Sequence, residues 1–112
     1  MKLNYKLWLE NDAGERVMGK GLLELLTLID KTGSINKATK KLDMSYRAAW
    51  GKLNKAEKEL GYDLVTKKSG GKGGGGSTLT DKGRDLLIKF KHLDTEVSKE
   101  LELLFNKLIV QK

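Results

Sequence analysis

The chain has 112 residues, of which 38% are hydrophobic and 33% charged. This length suits one compact domain and is too short for a binding domain together with a second full domain that senses a signal. The absence of cysteine and the single histidine, His92, exclude disulfides, thiolate chemistry and histidine-rich metal sites. No apolar run is long enough to span a bilayer and the first residues do not form a signal peptide, so we expect a cytoplasmic protein with no membrane partner.

The positive charge is concentrated in the middle of the chain. The formal net charge is +7, and residues 31 to 78 hold eleven basic and four acidic side chains, whereas the flanking segments are close to neutral. Such a concentration favours a surface that binds a polyanion. A lysine-rich solubilising surface would give the same charge count.

The N-terminal residues alternate between apolar and polar side chains from 3 to 9. This period of two predicts a half-buried strand. Residues 11 to 14 have turn chemistry, and residues 16 to 18 can return as a second strand. We therefore expect a β-hairpin at the N-terminus. Its apolar face would carry Leu3, Tyr5, Leu7 and Leu9.

A first helix is predicted from Lys20 to Thr32, because apolar residues recur there at helical spacing and Gly33 suits the position after a helix end. Ser34 can cap a second helix that ends near Asp43.

Ser45 can cap a third helix that ends at Gly61. Its outer faces are basic and polar, whereas its apolar positions step by four, three and four residues. Two short helices joined by a tight turn, the second one basic outside, are typical of a helix-turn-helix.

Residues 63 to 67 resemble a short strand, residues 69 to 77 are mostly glycine, and residues 78 and 79 can form a returning strand. This pattern favours a β wing after the helix-turn-helix. A flexible linker would also be rich in glycine and serine. We favour the wing, because the flanking residues have strand character and too little chain follows for another globular domain.

Thr80 can cap a last helix that runs from Asp81 to about Ile109, roughly 40 Å at 1.5 Å per residue. Its apolar stripe needs a partner along its length, and its distal half is expected to pack on a second copy of the chain. We divide the chain into a winged domain with its hairpin (1–80) and a dimerisation helix (81–112). The predicted dimer interface consists of Leu86, Phe90, Leu93, Val97, Leu101, Leu104, Phe105 and Leu108.

Five ordered motifs carry a family resemblance. They are Gly33–Ala38, Met44–Trp50, Leu64–Val65, Gly70–Gly75 and Leu79–Gly83. Together they resemble the N-terminal DNA-binding domain of the ModE family of molybdate-responsive transcription regulators and, more widely, LysR-type winged-helix domains. The resemblance implies a mainly α fold with a small β component, a winged helix-turn-helix that binds double-stranded DNA as a homodimer. The family binds molybdate in C-terminal domains that have no counterpart here, so no molybdate site is expected in this chain.

The second helix of a helix-turn-helix reads base edges in the major groove. Arg47 is the best candidate for a bidentate contact with guanine, although it could equally bind a phosphate, and Asn54 could address adenine. Trp50 either contacts DNA or packs over the motif as a half-buried aromatic. The full set of predicted DNA-binding residues is Ser34, Lys37, Ser45, Tyr46, Arg47, Trp50, Lys52, Asn54, Lys55, Lys67, Lys68 and Lys72.

These features predict a sequence-specific regulator that binds an inverted repeat and has no catalytic residues, cofactor or metal. The glycine tract contains a formal G-x-G-x-x-G at Gly71, Gly73 and Gly76, but no βαβ unit surrounds it. The alternatives are a nonspecific architectural DNA-binding protein and a dimeric adaptor for an acidic protein.

Overall fold

Four α-helices and a two-stranded antiparallel hairpin form the fold in the computed structural model, which describes residues 1–66 and 76–111. A π-helical turn, Asn106–Val110, continues the last helix. In chain order the elements are β1 (Leu9–Glu10), β2 (Arg16–Met18), α1 (Lys20–Thr32), α2 (Ile35–Lys41), α3 (Tyr46–Leu60) and α4 (Asp81–Phe105).

The hairpin is shorter than the alternating pattern predicts. Only Leu9–Glu10 pairs with β2, so the expected strand over residues 3–9 is wrong for most of its length. The hydroxyl of Tyr5 instead donates a hydrogen bond to the carboxylate of Asp94, at 2.7 Å, which holds the N-terminal segment against α4. Because β2 is only three residues long, the residues before Leu9 have no strand to pair with and pack on a helix.

The predicted helix caps are confirmed. The hydroxyls of Ser34, Ser45 and Thr80 each accept a hydrogen bond from the backbone N–H three residues later, at 3.1, 3.0 and 2.9 Å. At the other ends, α1 and α3 stop at Gly33 and Gly61, whose φ angles of 70° and 80° lie in the left-handed region that favours glycine. Local sequence therefore sets where these helices begin and end.

The hydrophobic core lies between α1, α3 and the first half of α4, with α2 closing one side. The central residues of α1 and the inner face of α3 are fully buried, and the two segments that flank the glycine tract add three more apolar side chains. The buried side chains of these elements include Leu25, Leu26, Ile29, Ala49, Leu53, Ala56, Leu64, Val65 and Leu79.

The segments that flank the glycine tract pair with each other, as a wing requires. Val65 and Leu79 form an antiparallel bridge, and the backbone N–H of Thr66 donates to the carbonyl of Thr78 at 2.8 Å. We call this pairing the wing base, residues 64–66 and 77–80. Lys67, Lys68 and Lys72, predicted to contact DNA from the wing, lie outside the described residues.

The helix α4 starts in the core and then leaves it, which gives the molecule principal extents of 64 × 29 × 24 Å. Phe90 is only 4% exposed, and Leu86 packs against the same core. Both residues were predicted at the dimer interface. The structure corrects this for Phe90, which its own chain already buries, whereas Leu86 is only partly buried. No described helix is both long and apolar enough to cross a membrane. Exposed apolar side chains gather instead at the far end, at Leu103, Leu104, Leu108, Ile109 and Val110.

Candidate nucleic-acid interface

One face of α3 points away from the core and carries polar and basic chemistry. At 3.6 residues per turn, Arg47, Gly51 and Asn54 lie within about 60° of one another around the helix axis. All three are exposed, whereas Leu53 on the opposite side is fully buried. We call these three residues the reading face. The structure thus brings together the two side chains that the sequence singles out for base recognition.

The aromatic residues of α3 border the reading face. The rings of Tyr46 and Trp50 meet edge to face, with centroids 6.3 Å apart and an angle of 66° between planes. Tyr46 is 49% exposed, but Trp50 is half-buried against the core. Of the two interpretations of Trp50, packing over the motif is the one the structure shows, so Tyr46 is the aromatic that is better placed to reach a ligand.

Two predicted lysines are engaged within the protein. The ammonium of Lys52 lies over the start of α1, 3.3 Å from the position that a Cβ on Gly21 would take. On α3 itself, Lys52 is about 140° around the helix axis from Arg47. The ammonium of Lys55 lies 3.5 Å from the carboxylate of Glu15. Neither lysine extends the reading face in this structure.

The hairpin turn lies against the C-terminal half of α3, a contact that the sequence pattern did not predict. The side-chain amide of Asn11 donates to the carboxylate of Glu59 at 3.0 Å. The side-chain oxygen of Asn11, Oδ1, accepts a hydrogen bond from the backbone N–H of Glu15 at 2.9 Å, which closes the turn. A hydrogen bond from Asn11 and, after it, the charge of Lys55 hold the pKa of Glu15 below its ordinary value. The N-terminal half of α3 is therefore the half that the hairpin leaves open.

A buried carboxylate fixes the wing base to α3. Glu57 is only 7% exposed, and its Oε2 accepts hydrogen bonds from the backbone N–H groups of Leu64, at 2.7 Å, and Val65, at 3.4 Å. This residue is absent from the sequence-based site. The sequence feature that could have identified Glu57 is its position at the edge of the apolar stripe of α3, beside Ala56 and one turn after Leu53.

The wing base also touches the start of α2. The backbone N–H of Ser77 donates to the carbonyl of Gly33 at 2.9 Å, directly before the cap residue Ser34. Lys37 lies exposed in the first turn of α2. The start of α2, the helix α3 and the wing base are thus connected by hydrogen bonds into one surface, and unpaired N–H groups at the two helix starts favour anions there.

Histidine and carboxylate side chains are dispersed over the part of the chain that the structure describes. Residues 1–66 and 76–111 contain no group of three histidine, cysteine or carboxylate side chains placed to hold a metal ion. His92 lies on α4 beside Glu96, at 3.3 Å, and both side chains are exposed.

Comparison with curated proteins shows similarity to molybdenum-related regulators. The chain is 33% identical over 103 residues to the molybdenum transport protein ModE of Azotobacter vinelandii, covering 92% of this chain and 38% of that protein. It is 38% identical over 65 residues to the DNA-binding transcriptional dual regulator ModE of Escherichia coli K12, covering 58% of this chain and 25% of that protein. The family resemblance drawn from the five motifs is confirmed. The chain spans well under half the length of these relatives.

Comparison with solved structures shows the same fold. The structure of ArgP from Mycobacterium tuberculosis matches with a TM-score of 0.53 at 21% identity, covering 74% of this chain and 30% of that one. At this identity the likeness concerns the fold alone, and it confirms the predicted winged helix-turn-helix. The family model of bacterial regulatory helix-turn-helix proteins, LysR family, matches residues 21–84, which begin in α1 and end in the first turn of α4. The chain therefore belongs to the LysR family of bacterial regulatory helix-turn-helix proteins.

Proposed function

We propose that the protein is a sequence-specific DNA-binding transcription regulator that reads DNA with the reading face of α3. The observation that carries this proposal is the exposure of Arg47 and Asn54 on one face of a helix whose opposite face is locked in the core. Recognition by a helix requires side chains of defined direction on a rigid support. The contact of Glu57 with the wing base supplies part of that rigidity.

The two side chains have different partners in this proposal. The guanidinium of Arg47 matches the two acceptors of guanine, and the amide of Asn54 matches the acceptor and donor of adenine. Lys37 and the backbone N–H groups at the starts of α2 and α3 bind phosphates, which position the protein without specifying sequence. The wing lysines, Lys67, Lys68 and Lys72, remain predicted phosphate contacts. We further propose that the protein acts in the cytoplasm, where it would meet its DNA target.

Selection of bound duplexes from a random DNA pool tests the proposal directly. A regulator is expected to enrich one sequence, with half-sites related by a two-fold axis. Recovery of DNA without enrichment would support a nonspecific architectural protein instead. No retention of DNA, together with binding to an acidic protein, would support an adaptor. Either of these results would overturn the proposed function.

The salt dependence of binding gives a second measurement. If about six to eight phosphates are contacted, the logarithm of the binding constant falls with the logarithm of salt concentration with a slope of roughly −5 to −7. A nearly flat dependence contradicts a mechanism that uses the basic central segment.

We also propose that two copies associate through the distal half of α4. Leu108 is 69% exposed and Leu103 is 65% exposed at the far end of the helix, and a stripe of this kind is stable in water only when it is covered. A two-fold dimer carries two reading faces, which accounts for an inverted repeat as the target. Phe90 is left out of this interface because it belongs to the core, and Leu86 because it packs against that core.

The names of the relatives concern molybdenum, and for this chain we propose that molybdate is not bound. The predicted DNA contacts use the positive residues for phosphate and base recognition, and the described residues 1–66 and 76–111 bury no cation that could hold a small oxyanion. Equilibrium dialysis with labelled molybdate is expected to show no binding. Saturable binding with one site per chain would contradict this expectation.

A further inference from the structure

Gly51 occupies the middle of α3, where the fold gives no reason for glycine. It is exposed, and apart from its chain neighbours and the backbone of its own helix no described atom lies within 4 Å of the position that a Cβ would take. Its backbone is helical, so alanine would fit without strain and would favour the helix. The other helical glycines differ, because a Cβ on Gly83 would collide with the backbone of Leu64 and a Cβ on Gly21 would meet Lys52.

The position of Gly51 on the helix indicates what the missing side chain permits. It lies one turn after Arg47 and one turn before Asn54, so it stands between these two residues along the helix axis. Asn54 has a short side chain, so its amide meets a base edge only when the helix backbone comes close to the base. A side chain at position 51 would project into the space between α3 and the base on such an approach.

The dimensions of the two partners make this space matter. An α-helix with its side chains is about 10 to 12 Å across, and the major groove of B-DNA is about 12 Å wide. A helix therefore fills the groove, and the side chains on its inner face set how deep it lies. Glycine is suited to a place where the backbone must approach a ligand closely.

We propose that Gly51 sets the depth at which α3 enters the major groove and thereby allows Asn54 to read a base. Gly51 is a positioning residue, and its specific effect is on base recognition and not on phosphate contact. This inference rests on the proposed DNA-reading function. It means that a residue without a side chain helps to determine which DNA sequence the protein prefers.

The test compares Gly51→Ala and Gly51→Leu with the unchanged protein on two duplexes, the sequence enriched by selection and a random sequence of equal length. Gly21→Ala is the matched control, since it adds the same methyl group to a helix away from the reading face and meets only the far end of the Lys52 side chain. Circular dichroism during heating reports folding for every variant.

We expect Gly51→Ala to raise Tm by about 2 to 6 °C and to weaken binding to the enriched duplex by about ten- to a hundredfold, the effect of losing recognition of one base pair. Binding to the random duplex should fall by less than about threefold. Gly51→Leu should lose more discrimination between the duplexes than Gly51→Ala, and Gly21→Ala should keep it.

Three results would overturn the inference. Gly51→Ala could bind the enriched duplex as tightly as the unchanged protein, which would show that the space is not used. Both duplexes could lose affinity equally, which would show that the methyl group blocks DNA in general. A failure of the unchanged protein to enrich any sequence would overturn the proposed function itself, and the inference would fall with it.

Discussion

Glu57 shows how a single side chain can hold two elements of a DNA-binding surface in place. Its carboxylate is buried and accepts the backbone N–H of Leu64 at 2.7 Å. A buried N–H that loses its acceptor costs about 1 to 3 kcal/mol. The wing base therefore depends on this residue for its stability as well as its position.

We predict that Glu57→Ala lowers the free energy of unfolding by about 1 to 3 kcal/mol, as measured by urea denaturation. Glu59→Ala is the control, because this neighbouring carboxylate is exposed and accepts only from the amide of Asn11 in the described contacts. It should cost less than about 1 kcal/mol. Equal losses for the two variants would contradict a special role for Glu57.

A second prediction concerns Glu15, whose carboxylate lies 3.5 Å from Lys55. Because the pKa of Glu15 is lowered in the folded chain, the carboxylate is ionised at neutral pH, and its stabilising contact is present above its ordinary pKa and lost on acidification. Glu15→Gln removes this charge. We expect tighter binding to random DNA and a salt slope steeper by up to about 0.9, the contribution of one added phosphate contact.

The matched control for that variant is Glu100→Gln, which removes the same charge from an exposed position on the distal part of α4. A filter-binding titration over a range of salt concentrations separates the two variants. If Glu100→Gln changes the slope as much as Glu15→Gln, the effect comes from net charge and not from the release of Lys55.

At the scale of residues, the sequence predicts what depends on near neighbours. The caps Ser34, Ser45 and Thr80 were predictable because a cap bonds to an N–H three residues away. The contact of Glu57 with Leu64 and the pair of Lys55 with Glu15 join residues from different elements, so they require the folded arrangement. A basic residue in the sequence can be a DNA contact or half of an internal pair, and only the fold separates these roles.

At the scale of elements, the start of α4 packs directly on the wing base. A Cβ on Gly83 would overlap the carbonyl group of Leu64. The hydroxyl of Thr80 donates a hydrogen bond to the backbone carbonyl of Asp63 at 2.6 Å. Glycine is required here by close approach between backbones. The junction between wing and long helix is therefore a rigid contact.

We predict that Gly83→Ala destabilises the protein by at least about 2 kcal/mol, since overpacking against backbone forces the two elements apart. The same substitution at Gly51 should instead stabilise it by about 0.5 to 1 kcal/mol, the difference in helix propensity. Thermal and urea unfolding of the two variants give the comparison. A neutral Gly83→Ala would show that α4 and the wing base move freely.

Elements differ in how well the sequence predicts them. The four helices were predictable because each has its own apolar period and its own start and stop residues. The strand expected at residues 3–9 has a correct alternation but depends on a partner, and β2 offers only three residues. Residues before Leu9 therefore cross to α4, where Tyr5 meets Asp94.

At the scale of the whole molecule, α4 has two different surroundings. One face of its first half packs on its own chain, with Phe90 in the core and Asp94 bonded to Tyr5. Its far end, with Leu104 at 48% and Leu108 at 69% exposure, has large apolar side chains on its surface. The stripe that looked uniform in the sequence is thus buried in the core at Phe90 and exposed at Leu104 and Leu108, where the proposed second copy would pack.

We predict that replacing both Leu104 and Leu108 with lysine makes the protein monomeric, because charges at the centre of an apolar contact must be desolvated without a partner. Sedimentation equilibrium measures the change in mass. Ile88→Lys is the control, since Ile88 is 60% exposed on the same helix but lies about 160° around the axis from Phe90 and the stripe. It should leave the association unchanged.

On DNA, the double variant should keep its affinity for a single half-site and lose the extra affinity of the intact inverted repeat, since only a dimer gains from two linked sites. If the unchanged protein already sediments as a monomer, the proposed association is wrong. If the double variant stays dimeric, or if Ile88→Lys dissociates the protein equally well, the association uses another face of the molecule.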